Sequence, residues 1–74
     1  MNENAARKIA QDAATGAGHP VGPVSWSYLE SGVWIIIFRR QGDGPRWAAA
    51  VDDVTGEALV TEGGENGLPK LPFG

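Results

Sequence analysis

The sequence predicts an α+β domain: one N-terminal helix packed on a three- to four-stranded antiparallel meander, followed by a flexible tail. Three observations carry this. Alanines recur at helical spacing through the first residues, and four short apolar or alternating segments follow. Each segment is separated from the next by a Gly-, Asp- or Pro-containing turn. The chain has 74 residues and no cysteine, so one thin core must hold it without disulfides or thiolate metal ligands.

The helix is predicted over residues 3–17. Ala5, Ala6, Ile9, Ala10, Ala13, Ala14 and Ala17 fall on one face, and Glu3, Arg7, Lys8, Gln11 and Asp12 fill the other. Asn2 or Asn4 supplies the N-cap, and Gly16 or Gly18 the stop. The stripe is almost all alanine, so it contributes little buried area but lets the helix axis come close to its partner. His19-Pro20-Val21-Gly22-Pro23 is a rigid connector.

Strands are predicted at about 24–29, 33–40, 46–52 and 57–61. In the first, Val24, Trp26 and Tyr28 alternate with Ser25, Ser27 and Leu29. The second, from Val33, is β-branched and aromatic throughout its apolar run. Turns at Glu30-Ser31-Gly32, Gln41-Gly42-Asp43-Gly44-Pro45 and Asp53-Val54-Thr55-Gly56 connect the four. Residues 1–62 therefore form the domain. Residues 63–74, rich in Gly and Pro and without periodicity, read as a tail.

Placing Ser31-Gly32 at the first hairpin tip sets a register. Trp26 then opposes Ile37, Tyr28 opposes Ile35, and Leu29 opposes Trp34. A second loop centred on Gly42-Asp43 sets Phe38 against Trp47, Ile36 against Ala49 and Trp34 against Val51. One face holds Leu29, Trp34, Ile36, Phe38, Trp47 and Val51. The other holds Trp26, Tyr28, Ile35, Ile37, Ala48 and Ala50, and is expected away from the helix. A single helix covers one face of a sheet, yet the second strand is apolar on both. The second face therefore calls for a cover: the Leu71-Pro72-Phe73 stretch of the tail, a second copy of the chain, or a protein partner. Trp26, Tyr28, Ile35 and Ile37 are the expected partner-binding residues.

Composition narrows the function. Nine acidic against six basic side chains give a formal net charge of −3, which argues against nucleic acid as the main partner. The longest apolar run, 33–38, is far short of a bilayer span of about 20 residues, and no leader-like segment opens the chain. The expected location is cytoplasmic for the sequence as it stands, and the envelope or the exterior if a leader precedes it.

Catalytic equipment is not expected, nor a metal or cofactor. His19 is the only histidine and reads as a solvated loop residue. Ser25, Ser27 and Ser31 lack a nucleophile-elbow context. Asp52, Asp53, Thr55, Gly56 and Glu57 do not meet a calcium-loop pattern and read as a structural turn, in which aspartates accept backbone N–H groups and Gly56 supplies a positive φ. Arg39, Arg40 and Arg46, with Trp47 beside them, suggest a small anion or nucleic-acid patch. The acidic composition favours reading them as a solvated hairpin end.

Val33-Trp34, Phe38-Arg39-Arg40, Gly42-Asp43-Gly44-Pro45-Arg46-Trp47 and Val51-Asp52-Asp53-Val54-Thr55-Gly56-Glu57-Ala58-Leu59 together resemble the PepSY pattern. PepSY is the small α+β domain of peptidase propeptides and of many bacterial envelope proteins. The resemblance covers roughly residues 3–61. Cystatin-like folds and small bacterial immunity proteins share the strand–Asp–turn–Thr-Gly-Glu motif. In all of them it is architectural and transfers no active site. The resemblance implies a non-enzymatic inhibitory or regulatory module for a protein partner. Two alternatives stand beside it: a self-associating domain, and a carrier or precursor that displays its tail.

Overall fold

The computed structural model describes residues 1–62; the predicted tail, 63–74, lies outside the described residues. Helix α1 spans Glu3–Gly16, followed by strands β1 (Val24–Glu30), β2 (Val33–Phe38), β3 (Trp47–Asp52) and β4 (Ala58–Glu62). The strands form one antiparallel sheet in sequence order, β1-β2-β3-β4, and the helix packs across all four.

Asn2 caps the helix, its side-chain oxygen accepting the Ala5 N–H at 2.8 Å. At the other end Gly18 turns to φ 76°, its N–H reaching Thr15 O, while His19 N–H reaches Ala14 O. That pair of bonds is the Schellman arrangement, which satisfies carbonyls the helix leaves open. Ala6, Ala10 and Ala14, spaced by four, are completely buried. They lie on Ile36, Phe38, Ala49 and Val51, with Ile9, Trp34, Trp47 and Val60 around the rim. Small residues on the helix meet large ones on the sheet, which is how a short helix comes close enough to seal a four-stranded face. Ala13 is only half-buried and Ala17 is exposed, so the buried stripe is narrower than the sequence suggests.

The observed register pairs Trp26 with Ile37, Tyr28 with Ile35, Leu29 with Trp34, Trp34 with Val51 and Ile36 with Ala49. Ser31 at φ 51° and Gly32 at φ 78° form the two-residue first turn, and positive φ at both positions matches the right-handed twist of the hairpin strands. Ile35, Ile37, Ala48 and Ala50 make a second buried cluster on the face away from the helix, with Tyr28 and Val33 packed against it.

Three expectations change. The ladder slips between Val24 and Trp26, a β-bulge at Ser25. Val24 consequently packs with the helix-side cluster rather than sharing a face with Trp26 and Tyr28. Strand β2 stops at Phe38, not at residue 40. Beyond it Arg39 exchanges backbone bonds with the connector, donating to Pro23 O at 2.8 Å and accepting from Gly22 N–H at 3.2 Å. Pro23 has no N–H to continue a regular ladder. Leu29, expected with the helix-side residues, is 49% exposed on the edge strand and outside that cluster.

Candidate functional site

The meander gives the molecule two ends. At one lie the β1–β2 and β3–β4 turns and the start of the helix. At the other lie the β2–β3 loop, the bulge and the connector after the helix.

The turn end is built from carboxylates with fixed partners. Asp52 Oδ1 accepts the N–H groups of Val54 (2.8 Å) and Thr55 (2.9 Å). Those bonds, Thr55 first, hold its pKa below the ordinary carboxylate value. Its backbone closes the turn as well, accepting from Gly56 N–H at 2.9 Å and donating to Glu57 O at 2.8 Å. Gly56 adopts φ 76°, and Thr55 Oγ1 accepts the Glu57 N–H at 3.2 Å. Asp53 Oδ1 receives the Met1 ammonium at 3.0 Å and the Trp34 indole N–H at 2.7 Å. The ammonium and then the indole lower its pKa. Asp53 N–H also reaches Gly32 O at 3.0 Å, tying the two turns together. Every carboxylate oxygen named here is engaged in holding backbone or the helix start. Among the described residues no group of three or more His, Cys, Asp and Glu side chains converges to hold a metal ion.

The four residues expected to meet a partner divide. Trp26 is 50% exposed and stacks on half-buried Tyr28, with ring centroids 5.0 Å apart. Ile35 and Ile37 are 2% and 6% exposed and form the floor beneath the two rings. The surface this face offers is thus aromatic, presented by β1, on a rigid aliphatic base.

At the loop end, Arg39, Arg40 and Arg46, expected as a solvated hairpin end, line a pocket of about 320 Å³ together with Ser25, Trp26 and Ile37. All three arginines are exposed. Each element supplies one wall. The bulge sets Ser25 and Trp26, and bulges re-aim side chains in this way. The end of β2 supplies Ile37, and the irregular backbone after it and just before β3 supplies the cations. Gly22 belongs to this construction: a Cβ there would stand 2.7 Å from Arg39 O, so only glycine lets the connector pair with Arg39.

Sequence reasoning missed two further contacts. His19 stacks on Trp47 at 4.1 Å between centroids and 20° between planes, so it is no free loop histidine. Glu3 and Arg7, assigned to the outer helix face, both reach Ser27. Arg7 Nε donates to its hydroxyl at 2.9 Å, and the hydroxyl donates to Glu3 Oε2. Ser27 is therefore a tether between helix and sheet. The pairing of Arg7 with Glu3 at i, i+4 is visible in the sequence, but a serine on a strand some twenty positions away is not.

No helix among the described residues is long and apolar enough to cross a membrane. No protein-family model, curated protein or solved structure matches the chain.

Proposed function

We propose that the chain is a non-enzymatic binding module, inhibitory or regulatory toward a protein partner, which it meets through the sheet face that the helix leaves uncovered. The observation behind this reading is Trp26. A half-exposed tryptophan stacked on a tyrosine, over a floor of two isoleucines, presents large area at low entropic cost. The resemblance to PepSY domains supports the same kind of role. In the acidic turn, Asp52 Oδ1 and Asp53 Oδ1 are already engaged in holding the fold.

The test is capture on the immobilised full chain, run in parallel with Trp26→Ser and with Leu29→Ser. Both residues are exposed, on opposite faces, and neither change opens a core cavity. A protein retained by wild type and by Leu29→Ser but lost with Trp26→Ser, and whose own activity changes when the free chain is added, is the expected result. Equal retention by all three chains rejects the face. Concentration-dependent sedimentation abolished by Trp26→Ser would make the partner a second copy of the chain.

A further inference from the structure

Building on the sheet-face reading, we propose that the pocket between Ser25, Trp26 and the three arginines is an anion subsite for carboxylates of an acidic segment on the docking partner. The described part of the chain has five basic side chains, and three of them line this one pocket. The two ion pairs among the described residues involve Arg7 and the Met1 ammonium, and neither involves Arg39, Arg40 or Arg46. Their guanidinium groups carry planar donor forks matched to carboxylate and phosphate. Arg39 is held at its backbone by Gly22 and Pro23, so its side chain starts from a fixed origin. Trp26 belongs both to the pocket wall and to the aromatic surface, so an acidic group seated here continues a contact made on the face.

Charge distribution decides between kinds of anion. The whole chain carries a formal −3, and Asp43 at the loop tip and Glu62 at the end of β4 lie at the same end as the arginines. A long polyanion such as a nucleic acid must run past these acids, and its repulsion is felt over about 10 Å at moderate salt. A short run of carboxylates engages the arginines locally and escapes most of that cost.

The experiment follows the arginine Nε–H and tryptophan indole signals of the labelled full chain by NMR. Acetylated hexaglutamate, inorganic phosphate and a short DNA duplex are added in separate titrations at low salt. Hexaglutamate is expected to shift Arg39, Arg40, Arg46 and Trp26 while leaving Arg7 and Trp34 in place. Arg40→Gln with Arg46→Gln is expected to weaken its binding by about tenfold or more, the scale of losing one to two charge-assisted hydrogen bonds. These side chains are exposed, so the folded spectrum should persist. Absence of shifts at the three arginines, or equal shifts at Arg7, overturns the subsite. Phosphate acting as strongly as hexaglutamate reduces it to a small-anion site and overturns the peptide assignment. Tighter binding of the duplex at the same residues would make the partner a nucleic acid. Absence of shifts at the arginines leaves the Trp26-dependent capture of a protein untouched, so the subsite can fail while the docking face stands; tighter duplex binding would count against both.

Discussion

The two ends of the sheet use charge in opposite ways. At the turn end, Asp52 and Asp53 accept from Thr55, Val54, Trp34 and the Met1 ammonium, and each bond fixes a piece of chain. At the loop end, three arginines surround a pocket, and none takes part in an ion pair among the described residues. A charge committed to backbone N–H groups is part of the architecture. A charge without a side-chain partner among the described residues is the place to look for a contact beyond them. The contrast teaches where to look for function in a small domain without catalytic groups: not where polar residues are densest, but where their bonds are unspent.

The harshest probe of this contrast asks whether the loop end is weak in its packing as well as open in its charges. Phe38 adjoins the pocket, yet it is 1% exposed and belongs to the helix-side core. Phe38→Ala should cost about 3–5 kcal/mol, as deletion of a buried aromatic does, and could unfold a domain this small. A urea midpoint near that of wild type would mean that the loop end is loosely packed and its pocket merely a gap.

Next in size is the turn end's backbone. A side chain at Gly56 would meet Ile9 and Met1 at 3.7 Å, an ordinary contact, so space is not the obstacle. The φ of 76° is. Gly56→Val should therefore destabilise by about 1–3 kcal/mol, while Glu57→Gln stays mild. If Gly56→Val melts like wild type, the turn is not held in the way its hydrogen bonds describe.

The smallest effect sharpens the comparison most directly. Asp52 and Asp53 both have folded-state pKa values below the ordinary carboxylate value. Their contribution is then fully present above the unfolded pKa, about 3.9, and is lost as pH falls through the lower folded values. The melting temperature should hold steady from neutral pH to about 5 and decline below about 4. Asp52→Asn with Asp53→Asn should flatten that decline, whereas Arg40→Gln with Arg46→Gln should leave the profile as it is. A profile altered by the arginine pair would show that the loop-end charges also serve the fold.

Much of this architecture is legible in the sequence alone. The Ser31-Gly32 turn marks the first hairpin, and a two-residue loop there puts Glu30 opposite Val33; β2 itself, apolar on both faces, does not tell one register from its one-residue slip. The alanine spacing marks the helix face. The bulge was not legible, since Val24-Ser25-Trp26 alternates like any strand. It arises from the connector, where Gly22 and Pro23 must pair with Arg39. The pocket went unseen for the same reason: Ser25 and Trp26 join Arg46 only after the strands have been paired and one of them kinked. Leu29 misled because alternation tells which side a residue points to, not whether the helix extends far enough to cover it.

The bulge has a further effect at the margin of the sheet. An exposed edge strand offers unpaired N–H and C=O groups to any passing chain, and long flat edges seed aggregation. β1 is such an edge, but its ladder is broken at Ser25 and it is preceded by a proline that cannot donate. A foreign strand trying to extend the sheet there would find register for only a few residues. At the opposite margin lies β4, Ala58–Glu62. The same irregularity that shapes a pocket thus also shortens the stretch of β1 with which a foreign strand could pair.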